Sequence, residues 1–212
     1  MSRYQTELEA HLEKYAGPIE SRFENLLAVR ATPKRACHIV VTTDLSDEPM
    51  TSPKREWAFA ELCVLLPADW PLDPEVWKSD INYGWPMREL QRLVRYVRES
   101  DTWVGFGHSI PNGTPPQPFA PSTRQCCSFL IPPLEMPEKF ARLRLPDEEI
   151  LNFWAIVPIY RDELAVKINQ KTPALLQHFE QKGVSDILNP TRPSIFEKSV
   201  EPPRKKGLLG RK

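Results

Sequence analysis

Glycine is scarce in this sequence, with 8 residues among 212. A loop that cradles phosphate spends several glycines on a short span. Neither G-x-G-x-x-G nor G-x-x-x-x-G-K-[ST] occurs, so nucleotide binding through a glycine loop is excluded. An excess of one charge is also missing. Lys+Arg and Asp+Glu each count 28, for a formal net charge of zero. A nucleic-acid partner gripped through its phosphates is therefore not expected. No stretch comes near the roughly 20 apolar residues that span a bilayer. The opening "MSRYQTELEAHLEKY" is charged throughout. Neither a membrane span nor a signal peptide is expected.

Cysteine and histidine are scarce too, at 4 each. Structural zinc wants Cys/His pairs at short spacings such as C-x2-C. Here Cys126 and Cys127 are adjacent, which strains tetrahedral ligation, and His11, His38, His108 and His178 are scattered. No metal and no cofactor is expected. Cys37, Cys63, Cys126 and Cys127 read as buried reduced thiols of a cytoplasmic protein.

What is abundant is proline, at 23 residues, roughly twice the usual ~5%. Many connections are therefore stiff. Hydrophobic residues at 41% and charged residues at 26% are ordinary for a globular chain long enough to bury a core.

The start reads as helix, with capping-box patterns "SRYQ" and "TELE" and with Leu8, Leu12 and Tyr15 at helical spacing. Gly17-Pro18 reads as the end of that helix and the start of another, carrying Ile19, Phe23, Leu26 and Leu27. "HIVVTT" (His38–Thr43), "FAELCVLLP" (Phe59–Pro67), "TWVGFGHSI", "CCSFLIP" and "NFWAIVPIY" (Asn152–Tyr160) read as strands. "ADWPLDPEVWKSDINYGW" reads as a loop, and Pro86 as a helix start, with Leu90, Leu93, Val94 and Val97 on one face. "RDELAVKI" reads as a short helix with Glu163 and Lys167 paired at i,i+4. Thr172-Pro173 opens a last helix carrying Leu175, Leu176 and Phe179, closed by Gly183.

This mixture without strict βαβ alternation predicts a single α+β domain over 1–195. Its central sheet is mixed and largely antiparallel, with helices packed on it. Residues 196–212 read as a mobile basic tail, five of whose last nine residues are Lys or Arg.

Several chemistries can be weighed on the residues. A Cys–His pair, such as His108 with Cys63 or Cys126, would place the thiol in an apolar strand, where thiolate is disfavoured. No G-x-S-x-G elbow occurs. Asp44 with Asp47, or Glu99 with Asp101, are acids beside turns, and such acids more often bond to backbone. Trp57, Trp70, Trp77 and Trp85 lie in or near a loop-rich stretch. They suit either a core or a protein-binding surface. An enzyme is not expected.

The order of motifs says more. "HIVVTTDLSDEPM", "AELCVLLPADWPL", "LQRLVRYVRESDTWVGFGHSIPNG", "CSFLIPPLE", "FWAIVPIYRDELAVKI" and "GVSDILNPTRPS" follow one another from about Gly17 to Ser194. This series resembles the Suppressor of fused domain family, its bacterial single-domain members above all.

The resemblance implies a non-enzymatic domain whose partner is another protein. Animal members sequester a zinc-finger transcription factor and hold a short peptide of it in a cleft between two domains. Many bacterial members look like immunity proteins that neutralise a cognate polymorphic toxin. Tyr96 matches the family's "RY" tyrosine, His108 the histidine after the glycine-rich turn, Glu61 the acid of the "EL" strand, and Ser46-Asp47 its "LSD". With Asp101 and Trp103 from the diagnostic segment, Tyr96, His108, Glu61 and Asp47 are the expected partner-binding residues. Animal members carry an acid just before the histidine, where this chain has Gly107, and their second domain has no counterpart here. The other roles weighed are a regulator of a client such as a transcription factor, and an enzyme using His108.

Overall fold

A computed structural model of the protein describes residues 2–197. The expected tail, 196–212, lies outside the described residues from 198 onward.

The longest apolar runs form the middle of the sheet. β4 (Phe59–Pro67) is buried almost end to end, and so is β8 (Ile150–Ile159). They pair in parallel, Phe59 with Leu151 through Cys63 with Ala155. Every other pairing in the sheet is antiparallel. β1 (Ile19–Phe23), β2 (Leu26–Val29) and β3 (Cys37–Thr42) build outward from β4 on one side. On the other side β8 is flanked by β6 (Cys127–Ile131), then by β5 (Ser109–Pro111) at the edge. The short β7 (Arg142–Arg144) pairs with the beginning of β8. The result is one eight-stranded mixed sheet, as the α+β reading predicts.

Strand alternation divides the core. Ala60, Leu62, Val64, Trp154 and Ile156 join one apolar cluster with α3 (Ile81–Glu99), which contributes Leu90, Leu93, Val94 and Val97. Cys63, Leu65, Phe153 and Ala155 join another cluster with Leu8 and Leu12 of α1 (Gln5–Tyr15). Further along, Val157 and Ile159 meet Leu164, Leu175 and Phe179 of α4 (Arg161–Lys182). Helices therefore cover both faces of the sheet.

Four local readings are corrected by the fold. Residues 19–29 form the hairpin β1–β2, not a helix. Ile19 and Phe23 are four residues apart, which satisfies one helical turn and two strand repeats equally. The tryptophan-rich stretch is not all loop. Asp73 caps α2 (Pro74–Ser79) by accepting from the Glu75 N–H at 2.9 Å. Asp80 does the same for α3 through the Asn82 N–H at 2.8 Å. Pro86 consequently lies inside α3 rather than at its start. Gly84 lets α2 and α3 meet, because a Cβ there would lie 1.9 Å from the Trp77 carbonyl oxygen. Third, the expected strand over "TWVGFGHSI" reduces to β5, since Gly107 takes a φ of +77°. Fourth, no N-terminal capping box forms, and the Ser2 hydroxyl donates instead to Asp47 at 2.8 Å.

The helical stretch α4 does break where expected. Lys171, with φ +73°, separates its two halves, and Gly183 closes it in the left-handed conformation. Trp70, Trp77 and Trp85 are buried core residues, whereas Trp57 is half-buried. All four cysteines are buried and unpaired, and burial pushes the Cys63 and Cys127 thiols up.

After α4 the chain returns across the sheet as a strap, residues 184–197. Leu188 N–H donates to the Leu65 carbonyl at 2.8 Å, and Asp186 accepts from the Leu134 N–H at 2.6 Å. Arg192 reaches under the strap to Glu163, with Nη1–Oε1 at 2.6 Å and Nη2–Oε2 at 2.7 Å. Glu163 also accepts from the N–H groups of Ile195 and Tyr160, each at 3.0 Å.

Candidate functional site

The exit from α3 builds the site. Thr102 N–H bonds to the Val97 carbonyl at 3.2 Å, and Asp101 N–H reaches Arg98 at 3.5 Å. Asp101 sits between them with φ +44°. This is a Schellman closure with aspartate where glycine is usual. The Asp101 carboxylate accepts from the Thr51 hydroxyl, which ties the exit to the loop before β4. Arg98, three residues before Asp101, is bound to Asp44 at 3.2 Å.

Beyond Asp101 the side chains stack. Trp103 lies parallel to Trp57, with ring centres 5.4 Å apart and planes within 9°. Lys54 lies over the Trp57 ring at 4.2 Å. His108 meets Trp103 edge-on at 4.2 Å. Such a stack fixes side chains that partial burial alone would leave loose.

One wall of this stack opens into a cavity of 290 Å³, lined among others by Tyr96, Trp103, His108, Ser109 and Lys167. Tyr96 is 38% exposed, and Phe106, on the loop between Trp103 and His108, is 52% exposed. β5, the edge strand, forms part of the same wall. Burial, then the Lys167 ammonium, holds His108 below the ordinary histidine range, against a bond to the Trp103 backbone. Its imidazole is therefore neutral near pH 7.

The sequence-predicted residues divide. Tyr96, Trp103 and His108 share this cavity. Asp101 lines a neighbouring cavity of 160 Å³, and Thr102 touches both. Glu61 and Asp47 lie elsewhere. Glu61 has no exposed surface. Its carboxyl accepts from the Ser46 N–H at 3.0 Å, the Ser46 hydroxyl at 2.6 Å and the Thr42 hydroxyl. Burial pushes it up to about 7 despite these donors. Asp47 is half-buried and accepts from the Ser2 hydroxyl and, at 2.7 Å, the Arg3 N–H.

Two site residues are not joined to the site by the sequence reading, which weighs Trp57 only as core or binding surface and Lys167 only as a helix pair. Trp57 is separated from Trp103 by 46 positions, and no local pattern joins them. Lys167 carries a misleading local signal, because the expected pair with Glu163 does not form. Glu163 is fully buried and taken by Arg192. Among the described residues, no three of His, Cys, Asp and Glu gather as they would around a metal ion. No helix there is long and apolar enough to cross a membrane.

The family model for Suppressor of fused protein (SUFU) matches residues 22–193. Solved structures share the fold. A putative SUFU homolog from Neisseria gonorrhoeae FA 1090 superposes with a TM-score of 0.60 at 13% identity, covering 92% of this chain and 98% of that one. A chain of the Sufu–Fu complex crystal structure gives 0.59 at 16% identity, over 81% of this chain and 77% of that one. Drosophila Suppressor of Fused gives 0.56 at 15% identity. The match covers 81% of this chain but only 42% of the Drosophila protein. No curated protein sequence matches the chain. The likeness in structure concerns the fold, and the family model spans most of the sequence: the chain belongs to the Suppressor of fused family.

Proposed function

We propose that the chain is a protein-binding domain acting as a bacterial immunity protein. It recognises a cognate toxin domain in the cytoplasm and blocks it by occupancy rather than by turnover. The recognition surface is the cavity of Tyr96, Trp103 and His108, with Asp101 fixing the turn that leads into it from α3. Glu61 and Asp47 serve it from behind, by holding the 44–57 loop that carries Trp57.

The observation that carries this reading is the contrast at the α3 exit. A stacked base of Trp57, Trp103 and His108 adjoins the exposed Tyr96 on a wall shared with an edge strand, and Phe106 of the same loop is exposed as well. Rigid aromatics around a pocket are what protein interfaces use as anchors. The fold family points the same way, and a similar chain is seen in a complex named Sufu–Fu.

Co-expression with a toxin domain encoded beside this gene tests the reading. The wild-type chain is expected to restore growth and co-purify with the toxin, and Tyr96→Ala combined with Phe106→Ala to lose both. Equal rescue by that double variant would move the site elsewhere. A neighbouring toxin that neither binds nor is relieved would end the immunity reading. The Sufu–Fu complex favours a second reading, a regulator that sequesters a non-toxic client. Growth without the chain separates the two, since only a toxin would halt it.

A further inference from the structure

We infer that the cavity between Tyr96, His108 and Lys167 receives an acidic side chain, so that the partner presents an aspartate or glutamate there from an exposed peptide segment. This rests on the reading that the cavity is the partner-binding site. It goes further in naming what enters.

The argument is one of unbalanced charge. Lys167 is half-buried at the cavity wall. Its local counter-charge would be Glu163, one turn earlier on α4. That carboxylate is turned inward, where Arg192, Ile195 and Tyr160 saturate it. Among the described residues Lys167 makes no ion pair. Arg92, one turn before Tyr96 on α3, is bound to Glu89 by two contacts at 2.6 and 2.7 Å. Glu89 is itself buried and accepts from the Ser128 hydroxyl at 2.5 Å, so it is spent as a counter-charge.

No acid lines the cavity. Its polar groups are the Lys167 ammonium, the hydroxyls of Tyr96, Thr102 and Ser109, and the His108 imidazole. Nor does position 107 supply one. Gly107 has φ +77°, and a Cβ there would lie 2.8 Å from the Thr172 hydroxyl. A side chain at that point would be strained whatever its charge. A half-buried cation among donors, without a resident anion, is complementary to a carboxylate. Placing one there gives a charge-assisted bond in a partly desolvated site.

The test pans a phage-displayed library of random dodecapeptides against the full chain, against Lys167→Glu, and against Tyr96→Ala combined with Phe106→Ala. Lys167 is on a helix and only half-buried, and circular dichroism checks that each variant keeps its fold. The wild type is expected to enrich peptides with Asp or Glu at one fixed position. Those peptides should bind Lys167→Glu at least tenfold more weakly, and panning on that variant should select Lys or Arg at the same position. Peptides that lose binding to the Tyr96/Phe106 double variant but show no acid preference would overturn the inference and leave the recognition site standing. Acidic peptides that bind Lys167→Glu unchanged would do the same. Peptides indifferent to the double variant, or no enrichment over an unrelated protein, would overturn both.

Discussion

Glu163 and Lys167 lie one turn apart on the same helix, yet they belong to opposite regimes. Around Glu163 every charge is matched. Two guanidinium contacts and two backbone N–H groups fill its oxygens, and the Arg192 guanidinium lies over Tyr160 and Phe179 at 5.1 and 5.5 Å. Around Lys167 the neighbours are aromatic rings and hydroxyls, and nothing matches its charge. At Glu163 the strap spends Arg192 and the Ile195 N–H on its own chain, whereas the α3 exit leaves polar and aromatic groups unspent. A closed ledger of hydrogen bonds marks where the fold is fixed, and an open one marks where a partner can be met.

Breaking the closed side should cost most. Glu163→Ala strands Arg192 and the N–H groups of Ile195 and Tyr160. Removing one member of a buried pair costs about 3–5 kcal/mol, to be read from urea unfolding. Lys167→Ala, one turn on, should fall within about 0.5 kcal/mol of wild type, as surface substitutions do. Equal losses for the two would erase the contrast.

Acidity provides the second probe. Burial holds His11, His38 and His108 below their ordinary 6.5. Their stabilising contribution is present above the unfolded value and is lost as pH falls through the folded ones. Glu61 runs the other way. Its folded value near 7 exceeds its ordinary 4.5. Its contribution is complete below 4.5 and disappears as pH rises through about 7. The size of that limb is roughly 3 kcal/mol at the usual conversion. Glu61→Gln removes it, so the variant's stability should rise from pH 5 until the histidines are neutral and then stay level, where wild type falls as pH passes through about 7. Parallel profiles would refute the assignment of Glu61.

A third change places charge on the open side. Gly107→Asp introduces an acid just before His108, against a φ of +77° and the Thr172 contact. Strain of this kind costs about 1–3 kcal/mol, measurable as a lower melting temperature. The same carboxylate should neutralise Lys167 and abolish the preference for acidic peptides. The smallest effect on stability belongs to Phe106→Ala. With half its surface in solvent, the ring should change unfolding by no more than about 0.5 kcal/mol. Partner affinity, measured by calorimetry, should nonetheless drop, which separates folding from recognition most cleanly.

The buried strands were legible because long apolar runs have few alternatives. "FAELCVLLP" coincides with β4, and "NFWAIVPIY" falls within one or two residues of β8. The break at Lys171 and the stop at Gly183 were signalled by Thr172-Pro173 and by glycine itself. Where the reading failed, a local pattern supported two structures or a distant residue decided. The spacing of Ile19 and Phe23 is one ambiguity. The stretch "LDPEVWKSD" held its own helix starts, Asp73 before Pro74 and then Asp80, beneath a composition that suggested loop. At the site, Tyr96, Trp103 and His108 are near in sequence and could be grouped. Lys167 could not, because its freedom depends on Arg192, 25 positions later, capturing Glu163.

The place of β8 in the sheet has a consequence for how the chain comes off the ribosome. β8 is central in space but late in sequence, and both β4 and β6 wait for it. Until Ile159 has emerged, β1–β4 form a meander with an open apolar edge along β4, and β5–β6 a separate hairpin with nothing to join. The strap that seals β4 comes later still, at Ile187. Synthesis therefore runs through about three-quarters of the chain before the sheet can close, and the exposed edge of β4 is where a truncated or stalled product would pair with another copy.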